Sequence, residues 1–302
     1  MKRKRSHDNS AAGGSTIHIQ RLNMDSSWLF VFGNKYNVLI DPWLVGGEVD
    51  GSSVFNYAEH LRAPVSINRL PGRLDAIVIS MPFSDHCHEE TIALLPPDVV
   101  IFAAPAARAR LLQDAQLAKR QICEIGHRTQ ICPGLRATFV PTSGILDFTH
   151  SALVLHYGGS KILYAPHGLH DLSGLSPLHP GLQTRQGKGG RVVVAPKRKP
   201  AEPIYEHWLL CLLTASRYAI PWYLGGTVNL GLQAACSVIR DLQPRYVVDT
   251  HSEQKHTSGL VPLLATPEYP SHREICKAVQ LVSKESRVCS VASYKRVSLD
   301  AS

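Results

Sequence analysis

Residues 75–90 read Asp75-Ala-Ile-Val-Ile-Ser-Met-Pro-Phe-Ser-Asp-His-Cys-His-Glu-Glu90. The apolar run 76–79 has no polar alternation, as expected of a short strand buried on both faces. A turn containing Pro82 follows, and it ends in Asp85, His86 and His88 before a helix-like stretch from Glu89. An acid and two imidazoles set at the end of a buried strand suit a metal ion or a general base.

Composition bounds what can be built around this stretch. A chain of 302 residues accommodates one large α/β domain or two smaller ones. With 44% hydrophobic and 19% charged residues it can bury a core, which excludes a disordered chain. It contains no run of 18 apolar residues, so no membrane span is expected, and its N-terminus lacks a secretory signal. The seven cysteines, at 87, 123, 132, 211, 236, 276 and 289, form no C-x-x-C pair. That spacing suits reduced thiols in a cytoplasmic or nuclear protein better than a disulfide framework.

The net charge of +8 is concentrated in two places. Residues 2–5 (Lys-Arg-Lys-Arg) carry four positive charges, and 185–199 carry six at Arg185, Lys188, Arg191, Lys197, Arg198 and Lys199. Setting those ten aside leaves 22 basic against 24 acidic residues, so the body of the chain is slightly acidic. Local patches of this kind more often solvate a tail or loop than grip a phosphate backbone. The first patch also has the composition of a nuclear import signal.

Residues 1–15 read as a flexible basic tail, and 16–302 as one ordered domain. Strands are expected at 17–22, 28–32 and 36–40, with a turn at Gly33-Asn34, and the third strand leads into Asp41-Pro42. A connecting segment with a short helical piece at 54–61 precedes strand 76–79. Helix 89–95, strand 99–102 and helix 105–113 come next. Strands are then expected at 121–125, 135–140, 151–157 and 161–165. A long loop at 170–190 and a strand at 192–194 follow. The remainder reads as helices at 205–217, 228–241 and 271–284, with strands at 245–249 and 288–292.

The stretch 81–86 resembles the H-x-H-x-D-H motif of the metallo-β-lactamase superfamily. Its six positions are Met81-Pro82-Phe83-Ser84-Asp85-His86, so the final Asp-His pair is kept and the first two histidines are not. Leu39-Ile40-Asp41-Pro42 is a second point of resemblance, and it implies that Asp41 lies beneath the metal site and orients a ligand histidine. The fold so implied is a four-layer αββα sandwich (α/β, or α+β), covering roughly 17–298. Periodicity alone supports an α/β chain and no more.

The resemblance also implies which groups would bind metal. The loop 139–144 should supply a histidine and offers Thr142 and Ser143. His167, in Pro166-His-Gly168, stands where a bridging aspartate is expected. His251 matches the last histidine of the superfamily. All three ligands of the first metal are thus replaced, while Asp85, His86, His167 and His251 remain at the second. These imply a mononuclear site, Zn²⁺ first, with Fe or Mn as alternatives. His88 is read as a catalytic acid or replacement ligand beside Asp85, and Asp249 and Glu253 as groups that orient His251.

Three functions fit. One is a metal-dependent hydrolase of an ester, thioester, lactone or phosphodiester. The second is a protein of this fold without turnover that holds a structural metal or a ligand. The third is a relative of RNA-processing proteins that binds through Lys188, Arg191, Lys197, Arg198 and Lys199, with affinity falling steeply with salt. Fold by itself decides none of them.

Overall fold

A computed structural model describes residues 16–142, 149–178, 207–291 and 294–300. Two seven-stranded sheets dominate. In the first, the order is Arg296–Leu299, Ile17–Arg21, Trp28–Phe32, Tyr36–Ile40, Ala76–Ile79, Ile101–Ala103 and Ile122–Glu124. Its first four strands are antiparallel and its last four parallel. The second runs Arg287–Val288, Tyr246–Asp249, His207–Leu213, Ser160–Ala165, Ala152–Tyr157, Leu135–Val140 and Thr129–Cys132, parallel over the first four and antiparallel over the rest.

The strand pleat explains the layering. Successive side chains point to opposite faces, and in Trp28–Phe32 all five are buried. Trp28, Phe30 and Phe32 enter the core between the sheets, with Val38, Ala76, Val78, Leu153, Leu155, Ile162 and Leu212. Leu29 and Val31 face outward, joining Ile77 and Ile79 beneath Ile92 of helix Glu89–Leu94 and Ala107 and Leu111 of helix Pro105–Leu111. On the other sheet, Val154, Leu163 and Cys211 pack on Val238 and Ile239 of helix Gly231–Leu242 and on Ile275 and Val279 of helix His272–Val282. Helix, sheet, sheet and helix are the four layers expected. The Gly33-Asn34 turn has φ of 59° and 55°, the doubly left-handed form that closes a two-residue hairpin.

Two sequence expectations are overturned. Residues 205–217, read as a helix, contain the strand His207–Leu213. It lies between two parallel neighbours with six of its seven residues buried. A strand covered on both faces has no alternation to distinguish it from a buried helix. The helical piece at 54–61 holds instead the strand Tyr57–His60, paired with Lys255–Ser258 almost two hundred residues away. Such a remote partner leaves no local trace. The strand expected at 192–194 and the turn after it lie outside the described residues.

Candidate metal centre

Three strands of the two sheets end at one place. Ala76–Ile79 leads to Asp85 and His86, Ser160–Ala165 to His167, and Tyr246–Asp249 to His251. All four residues are buried, and each offers a ligand atom such that the four atoms lie within 4.8 Å of one another. The Nε2 atoms of His86 and His167 face each other at 3.0 Å. Asp85 Oδ1 is 3.7 Å from His86 Nε2, and Asp85 Oδ2 is 3.5 Å from His251 Nε2.

The outer nitrogen of each imidazole is occupied. Asp41 Oδ2 accepts from His86 Nδ1 at 2.7 Å, Asp25 Oδ1 from His251 Nδ1 at 2.7 Å, and the Val228 carbonyl from His167 Nδ1 at 3.2 Å. Fixing that nitrogen sets the tautomer and turns the other lone pair inward, the arrangement metal-binding histidines need. Asp41 is itself held by the Ser80 N–H at 2.7 Å, the Ser80 hydroxyl and the Tyr164 hydroxyl at 2.8 Å. Asp25 is set by an Asx-type turn, in which Asn23 Oδ1 accepts from the Asp25 and Ser27 N–H groups at 3.0 and 2.9 Å.

The backbone bends to make this happen. Asp41 and His251 both sit in the left-handed region, at φ of 45° and 54°. For residues other than glycine this costs roughly 1–2 kcal/mol each, and such outliers cluster at functional sites. Gly168, which follows His167, has φ 91°, and a Cβ there would stand 3.1 Å from that of Leu230. Glycine thus lets Leu230 approach, and its N–H reaches the His167 carbonyl at 3.0 Å.

The donor set fits a divalent cation. With ligand distances of roughly 2.0–2.2 Å, donors on a tetrahedral ion stand about 3.3–3.6 Å apart, close to the 3.0, 3.5 and 3.7 Å separations here. Asp85 Oδ1 is buried without a hydrogen-bond partner, a costly state that a cation would relieve. Burial, with the neighbouring His251 and His86, pushes His167 well below its usual range and keeps it neutral. Burial opposes ionisation of Asp85, but His86, Lys255 and His251 outweigh it and hold the carboxyl below the carboxylate range.

Other expected groups stand elsewhere. His88 caps helix Glu89–Leu94, its Nδ1 accepting from the Thr91 N–H at 3.2 Å, and its ring lies 6.0 Å from that of Trp43. It lies outside the four-donor group. Asp249 accepts from the Ala215 N–H at 2.8 Å and the Ser252 hydroxyl at 2.7 Å, and Glu253 pairs with His60 at 2.8 Å. Neither hydrogen-bonds to His251, whose ring is oriented by Asp25 from the first hairpin. Asp25 was not among the sequence candidates, although the polar run Asn23-Met-Asp-Ser-Ser27 at a strand end signals a structured loop. At the two histidine positions of the H-x-H motif, Met81 is 1% exposed and the Phe83 ring stands 5.9 Å from that of His167. Thr142 lines a small cleft with His150, His170 and Asp171. Ser143, Lys188, Arg191, Lys197, Arg198 and Lys199 lie outside the described residues.

No protein-family model matches the sequence, and no curated protein does. Solved structures do. The isothiocyanate hydrolase from Delia radicum gut bacteria aligns with a TM-score of 0.61 at 16% identity, over 94% of this chain and 100% of that one. Igni18, a metallo hydrolase from the archaeon Ignicoccus hospitalis, aligns at 0.59 and 14%, over 95% and 100%. The metallo-β-lactamase fold protein YhfI from Bacillus subtilis aligns at 0.53 and 13%, over 94% and 99%. This chain therefore has the metallo-β-lactamase fold, and it carries an Asp/His cluster able to hold a metal where three of its strands end.

Proposed function

We propose that the chain is a metal-dependent hydrolase in which Asp85, His86, His167 and His251 hold one divalent cation, Zn²⁺ in preference to Fe or Mn. Its substrate is a small molecule with an ester, thioester, lactone or phosphodiester bond. The observation that carries this reading is the convergence of four buried donors whose imidazoles are each fixed at the opposite nitrogen. Similarity in fold to two hydrolases adds to it.

When bound, such an ion supplies Lewis acidity at neutral pH. Asp41 and Asp25 aim the ring nitrogens of His86 and His251, and His167 stays neutral to give its lone pair. Asp85, kept ionised, is the group placed to accept a proton from water attacking a substrate there. The apolar Met81, which is buried, and Phe83, which is half-buried, favour a second reading, in which the centre holds a metal without turnover, because neither side chain can ligate another ion as a histidine would.

Metal content of the purified chain, compared with His86→Ala and His251→Ala, tests the site. Both variants should lose the ion. Screening the loaded protein against generic esters, thioesters, lactones and phosphodiesters then separates the two readings. A wild-type chain that retains no divalent ion defeats both. The basic run at 2–5 supports a nuclear or cytoplasmic location, and among the described residues no helix is long and apolar enough to cross a membrane.

A further inference from the structure

Lys255 opens the strand Lys255–Ser258 and turns its side chain inward, where it is 12% exposed. Its Nζ lies 2.9 Å from Asp25 Oδ2, 3.4 Å from Glu48 Oε1 and 3.4 Å from Asp85 Oδ2, and 4.9 Å from the centre of the Trp43 ring. A buried ammonium is costly unless its charge is met, and here three carboxylates from remote parts of the chain meet it. Two of them also touch the metal centre, since Asp85 is a donor and Asp25 orients His251.

Glu48, Asp50 and Asp85 form a second group whose ligand oxygens lie within 4.8 Å of one another. Asp85 belongs to both groups. Two groups of candidate ligands therefore adjoin with one shared carboxylate, the first mainly imidazoles and the second acids, and the ammonium of Lys255 lies 3.4 Å from Glu48 and from Asp85 of the second.

We infer that Lys255 is a built-in cation that takes the place of a second metal ion beside Asp85, limits the centre to one dication, and positions Asp85 and Asp25 for it. The contacts agree: Asp25, Glu48 and Asp85 all face this one ammonium, so without it they lose the cation they share and the acidic group gains the space it filled. This inference rests on the four-donor centre proposed above and concerns how many ions that centre accepts.

The test is metal stoichiometry of the full chain, stripped with a chelator, reloaded with Zn²⁺ alone, desalted and assayed by atomic spectroscopy. Wild type and Lys255→Arg should each retain one ion. Lys255→Met should retain two, and adding Glu48→Gln should return it to one, a pattern that a merely structural lysine would not produce. Wild type without an ion defeats the four-donor reading itself. Wild type with one ion and a folded Lys255→Met chain with one or none overturns the role of Lys255 alone. If the Met variant does not fold, Lys255→Gln, which keeps a polar donor, is read in the same way.

Discussion

Asp25→Asn separates what the structure shows from what the sequence suggested. Asp25 is 1% exposed; its Oδ1 holds His251 Nδ1 at 2.7 Å and its Oδ2 faces Lys255 Nζ at 2.9 Å. An amide oxygen can still accept from the ring, so the variant keeps the hydrogen bond and loses the charge behind it. Removing the carboxylate behind a metal-binding histidine costs about 10–100-fold in metal affinity, or about 1.4–2.8 kcal/mol at about 1.4 kcal/mol per tenfold. Lys255 retains Glu48 and Asp85. The metal-free chain should therefore lose less than the roughly 3–5 kcal/mol that follows loss of a sole buried partner. Competition with a chromophoric chelator measures the affinity, and urea unfolding of the stripped chain measures the stability. Asp249→Asn is the control, because Asp249 serves the Ala215 N–H and the Ser252 hydroxyl; its affinity should stay within about twofold, as for sites that share no partner. Equal losses in the two variants, or no loss in Asp25→Asn, would refute the reasoning.

Three further outcomes follow from the same geometry. In the metal-free chain burial works against a charged His86, but Asp85 and Asp41 outweigh it and raise the group to about 9. A folded value above the usual value of about 6.5 stabilises the fold fully below that pH, and about 3 kcal/mol is lost as pH rises through about 9. Urea midpoints of stripped protein at the two ends of that window should fall with pH, and a flat or rising profile contradicts the pairing. Tyr164→Phe removes the hydroxyl that donates to Asp41 Oδ2 at 2.8 Å, a buried contact to a charged group, and should cost about 1–3 kcal/mol by the same unfolding measurement. His251→Gly should exceed His251→Ala in metal-free stability by about 1 kcal/mol, because only glycine takes φ of 54° without strain; a more stable alanine variant would show that the backbone relaxes there.

Residues 76–86 made most of the fold legible. A buried apolar strand ending in Asp85-His86, with Leu-Ile-Asp-Pro before it, carries the resemblance that implies the four-layer sandwich, and Asp41 does lie behind His86. Distant pairing was less legible. Asp25 and His251 are brought together only when the first hairpin packs across the end of strand Tyr246–Asp249, and no spacing in the chain encodes that meeting. Asp249 and Glu253 were nominated because they are near His251 in sequence. A carboxylate two residues along need not share a direction with the ring, and here both are turned to other partners. The strand His207–Leu213 was hidden for the opposite reason, since complete burial removed the alternation by which a strand is recognised.

The half-kept motif has a physical reading in how the two sets of donors are supported. Asp85, His86, His167 and His251 are backed by Asp41, Asp25 and a carbonyl, and two of the residues involved hold left-handed backbone. That strain is offset only while the hydrogen-bonded carboxylates stay in place, so substitution of any one of these groups strands a buried polar partner. Met81 and Phe83 need no such support. Met81 is buried and Phe83 half-buried, and neither side chain takes part in the hydrogen bonds that hold the four donors. Apolar residues at the H-x-H positions leave those hydrogen bonds in place, whereas loss of Asp85 would take one buried counter-charge from each of Lys255, His86 and His251, leaving them Asp25 and Glu48, Asp41, and Asp25 respectively. The asymmetry of the motif follows the asymmetry of those costs.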